Sequence, residues 1–208
     1  MRKDLLKACE VEFFMRYPSG FDDPEMEIIK KKHKIEKMHN FAVEKFDEER
    51  FGFVEEVIEN MIKIISRSSL VSLYEKPKFR DFARSLSKDE KETLVNGLRE
   101  FLHGERSKGF EMMLDILSRG KMAKWSLISI IPYYYHPQTE VFCKPTTVKN
   151  IVTIFELEGL VYKPRPSFDF YENYKKQLLE MRSLVNPNLA PDNAAFSGFL
   201  MMVMESYK

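Results

Sequence analysis

The sequence predicts an all-α fold, a single-domain multi-helix bundle of about eight to ten helices. Three observations lead there. Apolar residues recur at steps of three and four through several long stretches, the spacing that puts them on one face of a helix. Among 208 residues, glycine is scarce at 8 while phenylalanine reaches 17 and methionine 12. That balance suits helices packed through bulky side chains better than a barrel of tight turns. Helix start and stop signals also punctuate the chain at matching intervals.

The elements follow in order. Lys3 to Tyr17 reads as a helix with Leu5, Leu6, Cys9, Phe13 and Met15 as its apolar members, stopped by Pro18-Ser19-Gly20. Asp23 and Pro24 form an N-cap and first position for a helix running to about Phe46, with Ile28, Ile35, Met38 and Ala42 on one face. Glu55 to Ser66 repeats the pattern with Val57, Met61 and Ile64. Pro77 breaks the chain, and a short helix is expected from Lys78 to Leu86. Ser87-Lys88-Asp89-Glu90 is a capping box that starts a helix carrying Leu94, Leu98, Phe101 and Leu102. Another helix holds Phe110, Met113, Leu114 and Leu117 and closes at Gly120. Trp125 to Ile131 is open between helix and strand. Thr146 or Thr147 caps a helix expected to run to Glu158, with Gly159 as its stop. Leu160-Val161-Tyr162 allows one short β-hairpin near 160–166. Tyr171, Tyr174, Leu178, Met181 and Val185 mark a long helix ended by Asn186-Pro187. Asp192 caps a last helix with Phe196, Leu200 and Val203 inward. Residues 1–208 read as one domain; an N-terminal lobe over 1–75 is the one internal division considered.

Composition narrows the class of protein. Lys and Arg total 33 against 32 for Asp and Glu, so net charge advertises no long-range field for a polyanion. Cys9 and Cys143 cannot make a disulfide framework, which fits a reducing compartment. The longest apolar runs, such as Leu127 to Tyr135, are too short for the ~20 residues that span a bilayer. A soluble, cytoplasmic protein is expected.

The chemistry-bearing residues gather between Lys124 and Tyr174. This stretch holds the single tryptophan, the Tyr133-Tyr134-Tyr135 triplet, His136, Lys144 and Arg165. Three adjacent tyrosines cannot all face a core, and exposed tyrosine favours contact surfaces because its ring is apolar and its tip polar. The expected ligand-binding surface comprises Trp125, Tyr133, Tyr135, His136, Lys144 and Arg165, with the rings supplying apolar area and the two cations holding an anionic group. Two alternatives stay open. Residues 145–166 resemble the recognition helix and wing of winged-helix DNA-binding proteins, with Thr147, Lys149, Asn150 and Thr153 outward and Lys163 and Arg165 on the wing. Nucleic-acid binding through this element is less favoured than a plain amphipathic helix with a glycine stop, because cations and anions nearly cancel there. An enzyme built around His136 with a Tyr or Asp partner is the other alternative. His33, His39, His103 and His136 lack metal-site spacing, so no metal and no cofactor is expected. The Lys30 to Lys34 run reads as a solvated helix face, with Glu36 able to pair with Lys32.

Phe14-Met15-Arg16-Tyr17-Pro18-Ser19-Gly20-Phe21-Asp22-Asp23-Pro24 forms a distinctive opening. Lys124-Trp125, Pro132, Pro137 and Phe142-Cys143-Lys144-Pro145-Thr146-Thr147 follow in the middle, and Tyr162, Pro164, Pro166, Tyr171 and Phe199 towards the end. In this order and spacing they resemble a family of uncharacterised bacterial proteins of roughly 200 residues, from whose pattern the chain departs at Asn193 to Ser197. The resemblance implies a standalone cytoplasmic protein and carries no activity, cofactor or site residue with it. The functional expectation is therefore a binding or interaction module, its partner an unidentified protein or small anionic ligand. A homodimer joined through the Met-rich end, Leu200 to Met204, is an additional option.

Overall fold

Residues 1–204 and Tyr207 are described by the computed structural model, and every regular element among them is helical. The α-helices are α1 (Lys3–Arg16), α2 (Glu27–His33), α3 (Ile35–Lys45), α4 (Val54–Arg67), α5 (Glu75–Ser85), α6 (Lys88–His103), α7 (Arg106–Arg119), α8 (Trp125–Tyr135), α9 (Pro145–Ile154), α10 (Phe168–Ser183) and α11 (Asn193–Met204), with short 3₁₀ turns between some of them. None is long and apolar enough to cross a membrane.

Helix α8 is the axis of the bundle. Trp125 through Tyr134 are all buried, and α3, α4, α6 and α7 pack around it. A helix apolar on every side has no solvent face to keep, so burial decides what propensity left open. Its hydroxyls are satisfied locally. Ser129 Oγ donates to the Trp125 carbonyl at 2.6 Å and accepts from the Cys143 amide at 2.9 Å. Tyr134 and Ser68 share a hydrogen bond of 2.8 Å. Pairing matters here because an unpaired polar atom in this interior would cost about 1–3 kcal/mol.

Around this axis α6 and α7 form a tight hairpin. The capping box at Ser87 and Glu90 forms in full and starts α6. Gly97 and Gly109 let the two backbones touch: a methyl at Gly109 would overlap the Phe101 amide nitrogen and lie 2.6 Å from the Gly97 carbonyl oxygen. Residues 1–75 join the same core, with α1 on α11 and both α3 and α4 on α8.

Several sequence expectations are corrected. The helix expected from Pro24 to Phe46 is broken at Lys34, which adopts a left-handed conformation (φ 49°, ψ 41°). Like-charge repulsion along Lys30 to Lys34 offsets the gain from continuing the helix, and Ile28, expected inward, is 76% exposed. Pro77 does not precede α5 but sits in its first turn, where the missing N–H has no partner to lose. Helix α9 stops at Ile154 rather than Glu158. Glu156 takes a positive φ of 51°, and Leu157 N–H reaches back to the Val152 carbonyl at 3.0 Å. This is a Schellman stop, and it turns Leu157 into the core.

No hairpin forms near 160–166, and the described residues contain no strand. Pro164 and Pro166 lack the N–H a ladder needs. The winged-helix geometry expected over 145–166 therefore lacks its wing. Thr147, expected outward, is buried with its hydroxyl donating to Met201 Sδ at 2.9 Å. The Met-rich end packs internally: Leu200, Val203 and Met204 are buried, and Met201 alone of this group is substantially exposed.

One charged cluster ties the C-terminal half together. Glu140, in the α8–α9 loop, has a side chain only 4% exposed. It accepts from Arg106 Nη2 at 2.9 Å, Lys175 Nζ at 3.3 Å and Tyr171 OH at 2.7 Å. Glu172 bridges the same two cations at 2.8 Å each. Asn193 Nδ2 donates to the Glu140 carbonyl at 2.8 Å, which brings in α11. Burial, reinforced by the field of Glu140, raises the Tyr171 pKa well above its ordinary range, so the phenol stays a donor.

Three substitutions test this packing. Glu140→Gln is expected to lower unfolding free energy by about 3 kcal/mol, the low end for a broken buried pair because Arg106 keeps Glu172. Glu172→Gln, being partly exposed, should cost about 1 kcal/mol or less. Gly109→Ala should cost ~3 kcal/mol, the top of the overpacking range, since backbone rather than side chain must move. Urea midpoints of the three variants measure all these effects.

Candidate functional site

The expected binding residues do not converge; the fold spreads five of them over three places and encloses the sixth, Tyr133, in the core. The first is a recess of about 240 Å³ where the segment after α9 crosses the start of α8 and α10, lined by Trp125, Leu160, Val161, Lys163, Arg165, Asp169, Phe170 and Asn173, among others. Trp125 opens α8, and its indole N–H donates to the Lys163 carbonyl at 2.8 Å. That bond pins the proline-containing segment over the helix end. The Trp125 ring packs against Phe170 (5.2 Å between centroids) and Tyr162 (6.4 Å), and Phe170 stacks on Tyr174 (6.0 Å, 7° between planes). Trp125 itself is 1% exposed, so it forms a closed wall rather than the open contact face expected of it.

Polar groups surround that wall. Lys163 and Arg165 are exposed, and neither side chain has an acidic or hydrogen-bonding partner among the described residues. Asp169 and Asn173 stand one turn apart on α10 and line the same recess. Ser167 occupies the N-cap of α10, yet its hydroxyl makes no capping hydrogen bond. The recess thus combines an aromatic wall, two free cations, one carboxylate and one amide.

The second place is a chain of rings at the far end of α8. Tyr135 is half-buried and His136 exposed. Phe51, His103, Tyr135 and His136 follow one another edge to face at 5.7, 5.2 and 4.6 Å. His103 Nε2 lies 2.9 Å from the Phe46 carbonyl, and His39 Nδ1 lies 2.8 Å from the Tyr134 carbonyl. A carbonyl only accepts, so these nitrogens carry the protons. The His136 ring has no hydrogen-bond partner among the described residues, which leaves it without the orienting acid that general-base chemistry uses. Although the residue as a whole is exposed, its ring is partly desolvated, being packed on Tyr135, and this, helped by the fields of His103, Arg106 and His39 and opposed by Glu140, lowers its pKa. Burial also raises the Tyr135 pKa, with Asp47 and Glu48 adding to it.

Lys144 lies in a third place. It is exposed and lowers the pKa of His33, after burial and Lys32. Tyr133, expected at the surface, is fully buried with its hydroxyl donating to Asp192 at 3.2 Å. The reason is shared with Tyr134: α8 is enclosed on all sides, so only its last turn reaches solvent. Sequence reasoning missed Asp169, Phe170 and Asn173. The i, i+4 step from Asp169 to Asn173 was visible, but nothing in the sequence aimed it at Trp125.

Among the described residues, no group of three or more His, Cys, Asp or Glu side chains stands close enough to hold a metal ion. Comparison with known proteins finds no matching family model, no matching curated protein and no matching solved structure.

His33 and His136 make stability depend on pH with a definite sign. Both have folded pKa values below the ordinary value of about 6.5. Below pH ~6.5 the unfolded chain takes up protons that the folded one resists. Stability should be greatest above that pH and fall as pH drops towards the depressed folded values. Thermal melts from pH 7.5 to 5.5 should show this decline, and it should flatten in a His33→Asn, His136→Asn double variant. An identical slope in the variant would remove these two groups as its source.

Proposed function

We propose that the protein is a binding module that holds an anionic group, the carboxylate or phosphate of a small ligand or of a partner's chain, in the recess beside Trp125. One observation carries this reading. Lys163 and Arg165 both project at the mouth of a closed aromatic wall without an internal acid among the described residues. Several surface cations elsewhere are paired within the chain, among them Arg84 with Glu59 at 2.9 Å, Lys91 with Glu55 at 3.0 Å and Arg99 with Glu48 at 3.0 Å. Two adjacent cations left free at a concave, partly apolar site suit an incoming oxyanion, with Arg165 able to offer two parallel N–H donors. The apolar wall adds contact area for the rest of the ligand.

Asp169 shapes the selectivity of this site. Its carboxylate disfavours a bare, highly charged phosphate and favours a ligand that carries an ammonium or hydroxyl near its oxyanion. Lys144 lies outside this recess, so the anion-holding pair becomes Lys163 and Arg165 rather than Lys144 and Arg165.

Trp125 is the single tryptophan of the chain and reports directly on the recess. Titration with inorganic phosphate, acetate, free amino acids and carboxylate-ended peptides should change its emission with at least one of them. A Lys163→Ala, Arg165→Ala variant should keep its melting temperature within a degree or so, since exposed unpaired side chains add little stability, while that response is lost. No response to any of these ligands, or an equal response in the double variant, would end the proposal.

A further inference from the structure

A second surface has a shape and charge that match another part of the same chain. Val43, Glu44, Asp47, Glu49, Arg50 and Phe53 line an open groove of about 570 Å³ at the end of α3. Phe53 is 64% exposed and Val43 40%, yet Phe53 is firmly placed: its amide donates to the Arg50 carbonyl at 3.0 Å, and its carbonyl accepts from Val57 at 3.0 Å. An exposed phenylalanine on a rigid backbone is an anchor for a partner. Carboxylates dominate the rim. Arg50 is already paired with Glu56 at 3.4 Å, whereas the Glu49 carboxylate has no partner among the described residues.

The complement lies at the other end of α3. Helix α2 has no fully buried residue; Ile29 packs partly against the core and His33 Nδ1 lies 2.9 Å from Ser69 Oγ, while the opposite face stays open. It exposes Ile28 at 76%. Lys31, Lys32 and Lys34 are exposed as well and lack acidic partners among the described residues, while Lys30 is taken by Asp22 and Glu27. An apolar residue among free cations matches an apolar groove among carboxylates.

We infer that this ridge, from α2 to Phe53, is a two-fold interface between two copies of the chain, with α2 of each copy seated in the groove of the other. The connecting stripe permits it: Lys37, Asn40 and Glu44 are exposed and step by three and four along α3, and Asp47 is exposed just beyond its end. Antiparallel packing of the two α3 helices about Asn40 carries the α2 end of each copy towards the groove end of the other. It also sets Glu36 against Glu44, with Lys37 adjacent to offset the repulsion. A two-fold contact is self-complementary by symmetry, so one matched pair of patches is made twice and the assembly closes.

Light scattering across a concentration series should give twice the chain mass at low salt, with dissociation as salt rises, because the contact is largely ionic at its rim. Two charge-reversal variants then test the geometry: Lys31→Glu, Lys32→Glu and Glu44→Lys, Glu49→Lys. Each alone should be monomeric. Their equimolar mixture should dimerise again, since every acidic α2 then meets a basic groove and every basic α2 an acidic one. Phe53→Ala should weaken the dimer by tenfold or more without altering the fold seen by circular dichroism. A wild-type chain that stays monomeric at low salt, reversals that leave the dimer intact, or a mixture that fails to restore it would each overturn the assignment. Open-ended assemblies instead of a closed dimer would overturn its two-fold form.

Discussion

A single buried carboxylate disciplines the C-terminal half of this molecule. Glu140 lies in a loop, where backbone is ordinarily solvated and mobile, yet its side chain is almost fully enclosed. Taking an isolated carboxylate out of water costs several kcal/mol, so it stays charged there only with close partners. Arg106, Lys175 and Tyr171 supply them, and each comes from a different turn of α7 or α10. The loop, both helices and Asn193 of α11 must therefore arrive together. Cys143 hangs on the same loop, its amide held by Ser129, and burial raises its pKa so far that the thiol is a packing residue rather than a nucleophile.

That constraint explains why the aromatic segment turns inward. With the α8–α9 loop clamped to α7 and α10, α8 has no route to the surface except at its ends. Its rings become core, and their polar tips find internal partners: Tyr133 on Asp192, Tyr134 on Ser68, Trp125 on the Lys163 carbonyl. What emerges at each end differs in character. At the start of α8 the indole backs a recess with two free cations. At its finish, Tyr135 and His136 cap a ladder of rings beside the acidic turn at Asp47 and Glu48. Opposite charge at the two ends of one apolar helix gives the molecule two chemically distinct surfaces.

Much of the helical order was readable beforehand. The capping box at Ser87 and Glu90, the stop at Gly120 and the Asp192 cap, whose carboxylate accepts from the Ala194 and Ala195 amides at 2.8 and 2.9 Å, all stand where local chemistry placed them. Two of the misreadings had local causes that periodicity outweighed: the lysine run at the Lys34 break and the two prolines that forbid a hairpin at 160–166. The αL conformation at Glu156 was hidden, because it depends on where Leu157 is buried. Lys163 and Arg165 were visible as cations, but their setting beside Trp125 required knowing that an indole N–H would pin Lys163 from 38 residues away.

The amino-acid order by itself determined a helical chain, its punctuation and its lack of a long-range electrostatic field, because caps, periodicity and net charge are local or additive properties. Only the tertiary structure decided which rings are wall and which are surface, and which cations remain free. Burial and pairing are relations between distant residues: the same Tyr is core or contact, and the same Arg is structural or available, according to what the rest of the chain packs beside it.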